Sequence, residues 1–73
     1  MIEQGDALRD WLVTIARDHS HEEAVDLFVT KVQQDRISLA AVHWASEALT
    51  PGAFDVINEG VARLLVERPA HWR

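Results

Sequence analysis

Three helix-start signals divide this chain into four segments of helical length. In residues 20–23, with sequence SHEE, the serine hydroxyl can accept the Glu23 amide while the Glu23 carboxylate reaches back, which is a capping box. Ser38 is placed to cap a further helix. Thr50 and Pro51 form a third start. Thr50 is placed to cap the helix, and proline at the first helical position gives up an amide that has no partner there. The chain is therefore predicted to be helical throughout.

The apolar spacing within these segments agrees with the signals. It predicts four helices and a tail, over residues 6–19, 21–34, 38–49, 51–67 and 68–73. Asp6 is the predicted cap of the first helix, although Ile2 and Glu3 are also compatible with an earlier start. In the last helix, the predicted core stripe is Phe54, Ile57, Val61, Leu64 and Leu65. The expected fold is one all-α domain, either a small four-helix bundle or an orthogonal helical array with short connections.

The segment 38–49 has a thin apolar side because Ala41, Ala45 and Ala48 lie on it. Thin helices allow close approach, so this segment is predicted to be the central helix. Gly60 costs about 1 kcal/mol relative to alanine inside a helix, which indicates that another helix approaches it closely. The alanine side of segment 38–49 is the predicted partner of Gly60.

The formal net charge of −5 comes from 12 acidic and 7 basic residues. An acidic surface repels nucleic acid and anionic lipid, so neither is a favoured partner. No apolar run approaches the roughly 18 residues that span a bilayer, and the polar N-terminus is unlike a secretory signal. There is no cysteine and hence no disulfide. We expect a cytoplasmic protein without membrane association.

Two groups of side chains resemble reactive or metal-binding sites. His19 and His21 lie beside the glutamates of the capping box, but they straddle a helix boundary and lack the i, i+4 spacing that places two ligands on one face. His43 and Glu47 have that spacing, although an exposed pair of this kind is most simply a surface contact. No catalytic, cofactor-binding or metal-binding residue is predicted, and the chain is not expected to be an enzyme. A metal-dependent sensor at His19 and His21 is the third and weakest hypothesis.

A small helix-turn-helix regulator that associates with DNA is the alternative interpretation. The short connections between the last three helices are compatible with it. A recognition helix must present basic or amide groups, and the outer side of the last helix offers only Asn58 and Arg63 beside the acidic Asp55 and Glu59. The basic residues of the chain form no stripe. DNA binding is therefore the second hypothesis.

A surplus of apolar residues outside the expected core stripes favours a different function. Six such residues are more than a chain this short should show, and tryptophan is enriched at interface centres. The alternative is that the assumed helix phases are off and some of the six belong to the core. The predicted interface consists of Leu27, Trp44, Val56, Val66 and Trp72. The favoured hypothesis is a non-enzymatic protein–protein interaction module, which forms a homodimer or docks on a partner protein.

Overall fold

The computed structural model describes residues 3–47 and 49–72, and four α-helices account for most of them. The helices are α1 (Glu3–Asp18), α2 (His21–Gln34), α3 (Leu39–Ser46) and α4 (Pro51–Glu67), and a 3₁₀ turn follows at Ala70–Trp72. These described ranges contain no strand. The predicted all-α fold with four helices and short connections is confirmed.

Two helix ends differ from the bounds predicted first, and for α1 the earlier start that the sequence also allows is the one observed. α1 begins at Glu3, so Asp6 lies inside its first turns and is not the cap. α3 ends at Ser46, and Glu47 already has extended backbone with ψ of 136°. The Ser46 hydroxyl donates to the His43 carbonyl at 2.6 Å, a local bond that competes with continuation of the helix. Of the predicted last turn, Ala48 lies outside the described residues.

The helix-start signals differ in what their side chains do. The Glu23 amide donates to the Ser20 hydroxyl at 3.2 Å, and the Ser20 amide donates to the Glu23 carboxylate at 3.3 Å. This confirms the predicted capping box. The Ser38 hydroxyl accepts the Ala41 amide at 3.1 Å. Thr50 occupies the capping position of α4, but its side chain makes no capping hydrogen bond, so that detail of the prediction is wrong.

This difference gives a matched pair of variants. Ser20→Ala is expected to lower the free energy of unfolding by about 1 kcal/mol. The substitution removes the hydroxyl that accepts the Glu23 amide, which has no partner within the helix. Thr50→Ala changes a residue at the same helix position whose side chain makes no such bond, and a smaller loss is expected. Urea denaturation followed by circular dichroism measures both. Equal losses would contradict the assigned capping bonds.

The core is formed by one apolar side of each helix together with Ile37. Its fully buried side chains include Leu8 and Leu12 of α1, Phe28 of α2 and Leu64 of α4. Burial of such residues, at about 25 cal/mol per Å² of apolar surface, is the main driving force for folding. No polar side chain of the described residues is buried among them.

The core side of α4 differs from the predicted stripe. Val56 is 1% exposed and belongs to the core, so its predicted place on an exposed interface is wrong. Phe54 and Leu65, predicted as core, are 44% and 57% exposed. The reason is the position of the helices that cover α4. They face Ala53, Val56, Ile57, Gly60 and Leu64, which lie on a side rotated away from Phe54.

α4 packs most extensively against α2, and Gly60 lies against the ring of Phe28 at this interface. A Cβ atom placed on Gly60 would lie 2.1 Å from Cδ2 of Phe28. The predicted close approach to Gly60 is therefore confirmed. The predicted partner of Gly60 is wrong, because Gly60 is covered by the ring of Phe28 from α2 and not by the alanine side of α3.

Polar side chains border the same packing interface. His21 contacts Glu59, Asp26 accepts from Arg63, and Gln33 donates to Glu67. The partners advance along both helices together, so α2 and α4 run in the same direction. The chain must cross between their ends, and α3 lies within that connection.

α3 is not the central helix that its alanines predicted. It is the shortest of the four helices and buries only Val42 and Ala45. Its main neighbour is α1, which contacts all three other helices, whereas α3 and α4 pack only lightly. The centre of the fold is therefore shared by α1, α2 and α4.

The 3₁₀ turn returns to the start of α3. The indole Nε1 of Trp72 donates to the Ile37 carbonyl at 2.7 Å, and the ring is partly buried against the core. Arg68 makes this return possible with a left-handed backbone at φ of 55°, which ends α4. Among the described residues, no helix combines the length and apolar character needed to cross a bilayer.

Candidate interaction surface

The light packing between α3 and α4 leaves a cleft of about 270 Å³. Each helix lines it with residues at i, i+3, i+4 and i+7, which share one side of a helix. The lining residues are Leu39, Val42, His43 and Ser46 from α3 and Phe54, Ile57, Asn58 and Val61 from α4. Val42 and Ile57 are buried at its floor, while Leu39 and Phe54 are each 44% exposed at its edges.

A second cleft lies at the other end of α4. Its volume is about 350 Å³, and it is lined by Leu64, Leu65, Arg68, Pro69 and Trp72. The left-handed residue Arg68 and the hydrogen bond from Trp72 to Ile37 build this cleft, because together they fold the tail beside the last turn of α4.

One side of α4 connects the two clefts. At about 100° per residue, Phe54, Asn58, Val61 and Leu65 fall within a narrow sector of the helix. We call these four residues, with Leu39 beside them, the α4 face. The face lies at a large angle to the side that carries Glu59 and Arg63, which contacts α2. It therefore remains open after the core has formed.

A polar cleft of about 610 Å³ adjoins the α4 face at Asn58, and it is also lined by His21, Asp55 and Glu59. His21 Nε2 lies 3.2 Å from Glu59 Oε1, and both side chains are about half exposed. His19 instead lies 4.0 Å from Glu23. The two histidines thus face different carboxylates, and the described residues contain no group of three or more side chains suited to hold a metal ion.

His43 and Glu47, the second predicted pair, do not lie one turn apart on a helix. Because α3 ends at Ser46, Glu47 no longer lies one turn from His43 on the same helix. His43 lines the cleft between α3 and α4 instead. The i, i+4 contact predicted for this pair is therefore wrong.

Surface ion pairs account for the perturbed titrations of two arginines and one aspartate. The hydrogen bond to Asp26 raises the pKa of the Arg63 guanidinium, with smaller contributions from the charges of Glu67 and Glu59. The hydrogen bond between Arg17 and Asp18 raises the pKa of the arginine and lowers the pKa of the carboxyl. These groups lie at the protein surface, where such pairs contribute little to stability.

The structure does not bring the five predicted interface residues together. Val56 is in the core, and Trp44 is 43% exposed on the side of α3 away from the cleft, with its indole 3.4 Å from Asp6. Leu27 lies on the same side of α2 as Lys31, and this is not the side that contacts α4. Val66 is 83% exposed on a different side of α4 from Phe54. Only Trp72 borders the α4 face, through the second cleft.

Leu39, Phe54 and Leu65 are the interface candidates that sequence reasoning missed. For Phe54 and Leu65 the signal was the number of apolar residues in α4, which surround more of the helix than one buried stripe requires. Comparison with models of known families, with curated proteins and with solved structures gives no match for this chain.

Proposed function

We propose that this chain is a non-enzymatic protein–protein interaction module that binds through the α4 face. The observation that carries the proposal is the exposure of Phe54 and Leu65 beside Leu39, on helices whose opposite sides are fixed in the core. Contiguous exposed apolar surface on a small protein typically marks an interaction site. Anchors at i, i+3, i+4 and i+7 are the pattern by which helices recognise one another.

The charges around the face favour a protein over DNA. The carboxylates of Asp55 and Glu59 line the polar cleft that adjoins the α4 face at Asn58, and they would repel phosphates. Arg63, the basic residue that α4 would use to contact DNA, donates a hydrogen bond to Asp26 of α2. Helix-turn-helix binding therefore has little support from this helix.

The non-enzymatic part of the proposal rests on the titratable groups beside the clefts. His21 and Glu59 are in contact but about half exposed. Catalytic acids and bases usually lie in pockets that shield the reacting groups from water. The proposal places the module in the cytoplasm, in keeping with a composition free of cysteine.

Photo-crosslinking in the cells of origin tests the proposal. p-Benzoylphenylalanine would replace Phe54, Leu65 or, as the control, Val66, which is more exposed but lies off the α4 face. We expect covalent adducts to polypeptide from the first two positions and few or none from the third. Equal labelling at all three positions, or no adduct at Phe54 and Leu65, would contradict the proposal.

A further inference from the structure

We infer that the partner on the α4 face is a second copy of this chain, with the two α4 helices packed antiparallel across a two-fold axis. The inference rests on the function proposed above and specifies its partner. The α4 face is self-complementary, because a protruding phenylalanine lies at one end and an apolar cleft at the other. Two-fold symmetry lets each copy use both ends at once.

The register follows from the positions of these two features along α4. With the axis between Val61 and Ala62, the antiparallel arrangement places Phe54 of one copy opposite Pro69 of the second copy. Pro69 lines the cleft at the end of α4. The same register places Asn58 opposite Leu65. The register thus pairs Asn58 with Leu65 and directs Phe54 at the cleft that ends α4 in the second copy.

Phe54 is suited to the second copy's cleft. Its ring is 44% exposed, and the cleft of about 350 Å³ is lined by Leu64, Leu65 and Trp72. Aromatic side chains that fill apolar pockets are typical anchors of interfaces. Symmetry supplies two such insertions for each dimer.

Charge supports the same register. Asp55 follows Phe54, and Arg68 lines the cleft that Phe54 would enter, so the antiparallel pair places each Asp55 opposite Arg68 of the second copy. Within the described residues, neither side chain has an ion-pair partner in its own chain. Each copy carries a net charge of −5, so two copies repel at long range. Opposite charges at the contact would offset that repulsion and fix the orientation.

The side chains at the centre of the proposed contact are short. Val61 and Ala62 would lie at the axis, and short side chains there let two helices approach within the usual 8–10 Å. Trp44, on the far side of α3, takes no part in this contact.

Sedimentation equilibrium of the purified full chain tests the inference. We expect a dimer at micromolar concentration. Phe54→Ala should raise the dimer Kd by about tenfold or more, as expected for an aromatic anchor that fills an apolar pocket. Val66→Ala, which changes an exposed residue off the α4 face, should leave the Kd unchanged.

A charge exchange tests the register independently of the apolar anchor. Asp55→Arg and Arg68→Asp should each raise the dimer Kd, and the double variant should restore it. Circular dichroism verifies that each variant keeps its helix content. A dimer that is insensitive to Phe54→Ala, or a double variant weaker than either single one, would overturn the inference.

The outcomes separate this inference from the proposed function. A chain that stays monomeric at 0.1 mM (about a hundredfold above a micromolar Kd) while giving heterologous adducts at Phe54 would overturn the dimer and leave the interaction module standing. A monomer without adducts at Phe54 and Leu65 would overturn both.

Discussion

Phe28→Ala is expected to lower the free energy of unfolding by about 3–5 kcal/mol, the usual cost of removing a buried aromatic ring. The ring is fully buried, and it fills the space that Gly60 leaves on α4. A chain of this length has a total stability of only about 4–11 kcal/mol. The variant should therefore be largely unfolded in moderate urea, as measured by circular dichroism and tryptophan fluorescence.

Phe54→Ala is the matched control, because it makes the same chemical change at an exposed position of α4. Its effect on the unfolding of the monomer should be below about 1 kcal/mol. Both variants are compared at low protein concentration, where association does not add to stability. Similar losses for the two variants would show that the assigned rotation of α4 is wrong.

Gly60→Ala is expected to destabilise the fold by about 1–3 kcal/mol, the usual cost of overpacking a core. The new methyl group would lie 2.1 and 2.5 Å from two carbons of the Phe28 ring. Alanine gains about 1 kcal/mol over glycine in helix propensity, but the buried ring cannot move aside without disturbing α2. Thermal and urea denaturation measure the net loss.

Gly52→Ala is the control for this change, because a Cβ atom at Gly52 meets nothing within 4 Å. It should be neutral or stabilise the chain by up to about 1 kcal/mol through the unfolded state. The double variant Phe28→Leu/Gly60→Ala should lose less free energy of unfolding than the two single variants lose together. The reason is that leucine lacks the ring carbons that the methyl group meets. Strict additivity would contradict the contact.

The helices could be predicted because their starts depend on neighbouring residues. The bonds between Ser20 and Glu23 join groups three residues apart, and Ser38 likewise bonds to Ala41. Such signals do not depend on the rest of the fold. α3 ends early for another local reason, the bond from Ser46 to His43, which the apolar pattern does not reveal.

The rotation of α4 could not be predicted from its own sequence. Its apolar residues allow more than one buried side, and Phe54 with Leu65 form as regular a stripe as Val56 with Gly60. The choice depends on Phe28, which is 32 residues away from Gly60 in the chain and occupies the space that the glycine provides. This is a tertiary contact, and periodicity carries no information about it.

The candidate interaction surface could not be predicted from the sequence for the same reason. Trp44 and Val56 were predicted as contacts from residue type and from helix phase. The surface instead depends on where α3 and α4 fail to meet, which exposes Leu39 and Phe54. Of the predicted set, Trp72 borders this surface because its hydrogen bond to Ile37 fixes the tail beside α4.

The shared direction of α2 and α4 has a consequence for synthesis on the ribosome. The first three helices emerge before α4, and until then Phe28 lacks the surface that covers it in the finished fold. Joining Phe28 to Gly60 closes a loop that contains all of α3, and such long loops cost more entropy than the turns between successive helices. Until α4 has emerged, the nascent chain therefore leaves the apolar surface of α2 around Phe28 without its partner helix.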